Sequence, residues 1–165
     1  MELFEDVTEL KELMDKLILQ TLELVEEDVT LKINIEKLTN EGALLMAKTR
    51  YSQGPKTVSV SQLPGESDDG PEFNALKITV RSENDLGTSE FELEKSAVNK
   101  ESNHIDPINW FGILVPQSLK TARERYEKAL ELVIESANVE QKLQKNYQLY
   151  EKLKSIKVTF ENTEE

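Results

Sequence analysis

Leucine recurs at every seventh position over the first part of the chain, and this repeat restricts the fold more than any other feature. The seven residues are Leu3, Leu10, Leu17, Leu24, Leu31, Leu38 and Leu45. Side chains spaced in this way lie on one face of a helix and form the seam of a coiled coil. The repeat therefore predicts a long amphipathic helix, which Gly54 and Pro55 would end.

The same helix carries two further patterns. The second seam position is occupied by Val7, Met14, Thr21, Asp28, Ile35 and Gly42. Thr21 and Asp28 are polar, so we expect them to cost stability while fixing the register or the choice of partner. A second apolar stripe consists of Ile18, Leu22, Val25, Val29 and Ile33. A helix with two apolar faces contacts two neighbours, and we expect the chain's own C-terminal helix on one face and a different protein on the other.

A second helical pattern runs from Pro116 to about Ile156. Its apolar stripe consists of Leu119, Ala122, Tyr126, Ala129, Val133, Ala137, Leu143, Tyr147, Tyr150, Leu153 and Ile156. We therefore predict a mainly α fold in which two long helices form an antiparallel coiled-coil hairpin, with a short, partly disordered β-containing insertion at the turn end. The predicted parts are an N-terminal long helix (1–55), a strand and loop insertion (56–105), and an apolar knuckle with the C-terminal long helix (106–165).

Alternating apolar residues predict three short strands in the insertion. The first covers residues 56–61, and the other two are centred on Ile78 and Phe91. Residues 84–87 have the composition of a turn that would join the last two strands in a hairpin. Residues 64–72 are polar with proline and glycine, which is typical of a loop or a disordered segment, and residues 95–105 resemble a linker.

Composition argues against several classes of function. The net charge of −12 is the wrong sign for binding nucleic acid or anionic lipid, and residues 1–50 carry 12 acidic but only 6 basic side chains. There is no cysteine, and His104 is the single histidine, so we expect no metal site. The acidic run from Glu23 to Asp28 is typical of a solvated helix face. No nucleotide-binding or catalytic motif occurs, so we predict neither an enzyme nor a cofactor.

Two other sequence features bear on the compartment. The first residues are acidic and lack the basic region of a signal peptide. No apolar run approaches the roughly 18 residues that a membrane-spanning helix needs. We therefore expect a soluble protein that faces the cytosol.

Residues 106–116, which we call the strap, hold the only tryptophan and the densest apolar run. Asp106 and Pro107 are typical of a helix N-cap and first turn. Gly112 would allow the chain to turn, and Pro116 would open the next helix. The strap is therefore interpreted as either an apolar plug between the helices or a docking surface for a partner, and the two roles are compatible. The candidate partner-binding residues are Asp106, Pro107, Trp110, Phe111, Gly112, Leu114, Val115 and Pro116.

The strap and the three residues after it resemble a known family. The sequence DPINWFGILVPQSL (106–119) is similar to the D-P-x-x-W-F-G-x-L-V-P-x-S-L signature of the coiled-coil-domain-containing assembly factors of the vacuolar proton ATPase. A second stretch resembles the end of that family's first helix, through Gly42, Leu45, Ala47, Lys48, Arg50, Tyr51, Gly54, Val58 and Ser59, with Met46 in place of the usual leucine. The insertion is similar only loosely, so nothing is carried over for it.

The resemblance implies a non-enzymatic assembly chaperone at the cytosolic face of the endoplasmic reticulum. Members of this family pair with a small membrane-spanning assembly factor and act transiently on the membrane sector of the proton pump, which supports organelle acidification. Vesicles between the endoplasmic reticulum and the Golgi, endosomes and lysosomes are further implied locations. The alternative is a prefoldin-like or tethering coiled-coil subunit, for which strands would pair between copies.

Overall fold

The computed structural model describes residues 7–63, 74–83, 89–99 and 101–163, and it is dominated by two helices of equal length. Helix α1 covers Val7–Gln53 and helix α2 covers Gln117–Thr163, each with 47 residues, or about 70 Å at 1.5 Å per residue. Helix α1 ends as predicted at Gly54, whose φ of +100° suits glycine. Helix α2 continues beyond its predicted end at Ile156.

The two helices pack antiparallel along their length. At one end, Leu10, Met14 and Leu17 of α1 form a buried cluster with Leu153 of α2. At the other end, the hydroxyl groups of Thr49 and Ser118 lie 2.7 Å apart. The predicted fold class is therefore confirmed.

The predicted heptad seam of α1 faces α2, and its polar positions meet polar residues there. Ser136 donates a hydrogen bond of 2.8 Å to the carboxylate of Asp28. The side-chain amide of Asn146 donates to the hydroxyl of Thr21 at 3.4 Å. Since a shift of one helix along the other would separate these partners, the polar residues fix the register of the hairpin.

The predicted apolar stripe of α2 is wrong in part. Val133 and Tyr147 are 43% and 65% exposed, whereas Ser136 and Val139 are buried. The predicted stripe contains apolar residues only, so it does not include Ser136. Asp28 provides the hydrogen-bonding partner that makes burial of Ser136 possible.

The predicted strand at 56–61 is also wrong. This segment forms a turn and a short 3-10 helix, Val60–Gln62. The backbone N–H of Ser59 donates to the side chain of Gln62, and the Ser59 hydroxyl accepts from the N–H of Ser61, so local hydrogen bonds take the place of a strand ladder. Val58 is buried, and its carbonyl accepts a bond of 2.9 Å from Arg50.

The other two predicted strands are present. Strand β1 covers Lys77–Glu83 and strand β2 covers Ser89–Lys95, and they pair antiparallel. The predicted turn at 84–87 and the predicted loop at 64–72 lie outside the described residues. The register places Val80 opposite Glu92, and Phe91 opposite Arg81. The apolar residues of the two strands therefore lie on opposite faces of the sheet, because side chains alternate along a strand.

The sheet lies on the side of α2, where three side chains hold it. The amide of Asn138 accepts from the backbone N–H of Phe91 at 2.8 Å and donates to the backbone carbonyl of the same residue at 2.9 Å. The Asn138 side chain thus forms hydrogen bonds with both the N–H and the C=O of Phe91, as the backbone of a neighbouring strand would. Lys77 and Lys95 add ion pairs to Glu127 and Glu131 of α2.

Candidate partner-binding site

The strap forms the short knuckle that its sequence predicts. Residues Pro107–Phe111 are a 3-10 helix capped by Asp106, whose carboxylate accepts from the N–H of Ile108 at 3.1 Å. Gly112 ends this helix with a φ of +118°, a conformation that other residues adopt only with strain. The carbonyl of Pro116 accepts from the N–H of Leu119, so α2 begins directly after the strap.

A chain of charged groups fixes the base of the strap to α2 and to the sheet. Arg123 donates to Asp106 at 2.6 Å and to Glu127 at 2.9 Å, and Lys77 reaches the same oxygen of Glu127 at 2.8 Å. Burial alone would raise the pKa of Glu127, but the hydrogen bonds from Lys77 and Arg123 outweigh it and keep this pKa below its ordinary value. The network positions the strap.

An apolar groove with a volume of about 540 Å³ lies between the strap, the sheet and the two helices. Its apolar lining includes Met46, Leu76, Val98, Ile108, Phe111 and Leu119. The charged residues along it already take part in ion pairs, such as the one between Asp106 and Arg123. The groove therefore suits an uncharged, apolar group.

The tip of the strap is its most exposed part. Leu114 is 92% exposed and Ile113 is fully exposed, whereas Trp110 and Phe111 are both half-buried. Ile113 was missed by the sequence analysis, because nothing in the sequence shows that the turn at Gly112 directs the next two side chains outward.

The other predicted site residues lie around this tip. Pro107 and Gly112 are exposed, and Asp106, Val115 and Pro116 are half-buried. The predicted residues lie close together in the sequence, and the structure leaves Pro107, Gly112 and Leu114 exposed and the others half-buried.

Two residues of α1, Gly42 and Thr49, contact α2 close to the strap. An ideal Cβ built on Gly42 would lie 2.8 Å from the ring of Tyr126, so this ring packs directly on the α1 backbone. Tyr126 also lines the groove. The buried hydroxyl of Thr49 contacts Ser118, just after the strap.

Within the described ranges, there is no cluster of three or more histidine or acidic side chains arranged to hold a metal ion. None of the helices described there is both long and apolar enough to cross a bilayer. The single histidine, His104, has its Nδ1 2.9 Å from the hydroxyl of Ser102.

Comparison with known proteins shows which family this chain is related to. The model of the Vma22/CCDC115 family matches residues 66–129. The vacuolar ATPase assembly protein VMA22 of Mus musculus is 30% identical over 156 residues, which cover 83% of this chain and 87% of that protein. The chain belongs to the Vma22/CCDC115 family. The protein of the same name from Homo sapiens is 29% identical over 149 residues, covering 79% of this chain and 83% of the relative.

The family relationship confirms the resemblance found in the strap and extends it. The matched region starts in the insertion, continues through β1, β2 and the strap, and ends at Ala129 in α2. The Vma22/CCDC115 match therefore includes the insertion, for which the sequence analysis carried nothing over, together with the strap and most of the groove.

Proposed function

We propose that the chain is a non-enzymatic assembly factor for the membrane sector of the vacuolar proton ATPase, acting as a chaperone or adaptor in support of organelle acidification. The observation that carries this proposal is the similarity to the mouse assembly protein over 83% of this chain. The fold supports it, because a long helical hairpin with exposed apolar residues suits a protein that binds other chains.

The strap is proposed as a docking site within this function. Ile113 and Leu114 form an exposed apolar tip on a base that Asp106 and Arg123 hold in place. A tip that is already ordered loses little conformational entropy on binding, which favours affinity. The adjacent groove, lined in part by Phe111, would accept an apolar side chain of the partner.

The proposed partner is a membrane-spanning assembly factor, and the proposed location is the cytosolic face of the endoplasmic reticulum. Subunits of the membrane sector would be contacted only transiently. A chain with a net charge of −12 is not attracted to anionic lipid, so such a partner would hold it at the membrane.

The test uses cells that lack their own copy of this protein. We would express the wild-type chain, a tip variant with Ile113→Ser and Leu114→Ser, and a control variant with Leu44→Gln and Val60→Gln. The control also removes two exposed apolar side chains, one on α1 and one in the 3-10 helix after it, which are 70% and 82% exposed. The readouts are assembled proton ATPase in membranes, organelle pH, and the membrane proteins recovered with the chain in gentle detergent.

We expect the wild type and the control to restore assembly and acidification, whereas the tip variant fails although its circular-dichroism melt is unchanged. If the wild type leaves assembly unchanged, the assembly function is wrong. If the tip variant restores assembly and recovers the same membrane proteins, the assembly function stands but the docking role of the strap is wrong.

A further inference from the structure

The second apolar stripe of α1 is not covered by the chain itself. Its five residues are between 39% and 60% exposed: Ile18, Leu22, Val25, Val29 and Ile33. Their spacing is four, three, four and four residues, which places them along one side of the helix over about 22 Å. The leucine seam faces α2 instead, so this outer stripe is available along its whole length.

One residue of α2 widens the outer stripe. Lys32 of α1 reaches Glu140 of α2 at 2.7 Å, which marks where the two helix flanks adjoin. Val25 lies one heptad before Lys32 in α1, and Tyr147 lies one heptad after Glu140 in α2. Because the helices are antiparallel, Val25 and Tyr147 therefore lie on the same side of the hairpin as that ion pair. Tyr147 is 65% exposed, so one aromatic side chain borders the outer stripe on its α2 side.

The unpaired charges beside the middle of the outer stripe are acidic. They belong to Glu23 and Glu26, and neither carboxylate takes part in the ion pairs found among the described residues. Lys32 also lies beside it, but its ammonium group is bound to Asp28 and Glu140. The charges near its two ends are mixed: Lys11, Asp15 and Lys16 lie at the N-terminal end, and Glu36 and Lys37 at the C-terminal end.

We propose that the outer stripe binds an amphipathic helix of a partner protein that carries lysine or arginine beside its apolar residues. A straight stripe with helical spacing fits the apolar face of a third helix, in the way that helices dock into grooves. Basic residues on that helix would meet the unpaired carboxylates around the stripe. A second copy of this chain would instead bring like charges together, since each copy carries −12.

The test uses the purified full chain and synthetic three-heptad peptides. One labelled peptide has leucine on its apolar face and lysine beside it, and the matched peptide has glutamate in place of lysine. The stripe variant carries Leu22→Gln and Val29→Gln, which preserve helix propensity. The control variant carries Leu44→Gln and Tyr51→Gln, which are exposed on the same helix outside the stripe. Binding is measured by fluorescence anisotropy, and self-association by sedimentation equilibrium.

We expect the lysine peptide to bind at least about tenfold more tightly than the glutamate peptide, and less tightly in high salt. The stripe variant should weaken this binding by at least about tenfold, whereas the control variant should not. Equal binding of the two peptides, or unchanged binding by the stripe variant, would overturn the proposal. If the wild type self-associates and the stripe variant does not, the proposal is wrong and the stripe binds a second copy of the chain. If the wild type binds phosphatidylcholine vesicles and the stripe variant does not, the proposal is wrong and the stripe binds a membrane.

Discussion

Ser136 of α2 donates a hydrogen bond of 2.8 Å to the carboxylate of Asp28 inside the seam between the two helices. Both residues are buried. The hydrogen bond from Lys32 keeps the pKa of Asp28 below its ordinary value; burial opposes this effect and Ser136 adds to it. A charged group is thus held within the seam, where its bond to Ser136 specifies one alignment of α1 and α2.

We predict that Ser136→Ala lowers the free energy of unfolding by about 1–3 kcal/mol, because a buried charged acceptor loses a donor. Combining Asp28→Leu with Ser136→Ala should recover most of this loss, since a buried polar pair can be replaced by apolar residues at little cost. Urea denaturation of the two single variants and the double variant measures the coupling. Additive effects in the double variant would show that the two side chains act independently.

We predict that Asn138→Ala releases the sheet without melting the helices. Its side-chain amide occupies both outward-facing backbone groups of Phe91, and a two-stranded sheet alone is marginal in water. Amide hydrogen exchange in β1 and β2 should become at least about tenfold faster, while α1 is unchanged. Gln144→Ala, at an exposed position of α2, serves as the control. Unchanged exchange in the strands would mean that their other contacts are sufficient.

We predict that Glu127 contributes stability that is lost on acidification. Its pKa is lower in the folded chain than its ordinary value of 4.5, so its contribution is fully present above that value and disappears as the pH falls through the folded pKa. Glu127→Gln should therefore make thermal stability less dependent on pH in this acidic range. Glu124→Gln, an exposed position on the same helix, is the control. Parallel pH profiles for wild type and Glu127→Gln would contradict the prediction.

The leucine repeat was sufficient to predict α1 and its seam, because a period of seven has few structural solutions. The antiparallel hairpin was predicted from this repeat together with the apolar stripe of α2. The buried face of α2 was less predictable, since Ser136 and Asn146 are polar and enter the seam only because Asp28 and Thr21 lie opposite. Such a match depends on the alignment of two distant segments, which local periodicity does not contain.

The local conformation of the strap could be predicted from the sequence, but the exposure of its side chains could not. The strap and its caps follow from Asp106, Pro107 and Gly112, whose local conformational preferences are strong. The outward position of Ile113 follows from the turn at Gly112, and the local sequence does not show whether an apolar residue there is buried or exposed. The second apolar stripe of α1 was recognised, but only the structure shows that α2 does not cover it.

The contact between Gly42 and Tyr126 predicts that the effect of Gly42→Ala on stability changes sign when the Tyr126 ring is removed. Alanine normally stabilises a helix by about 1 kcal/mol relative to glycine. A Cβ at Gly42 would lie 2.8 Å from the Tyr126 ring, so we expect Gly42→Ala to lower the free energy of unfolding by on the order of 1 kcal/mol. With Tyr126→Ala already present, the same change should raise it by about 0.5–1 kcal/mol. Urea denaturation of all four chains measures this cycle, and a stabilising Gly42→Ala in the wild-type background would show that the ring moves aside without cost.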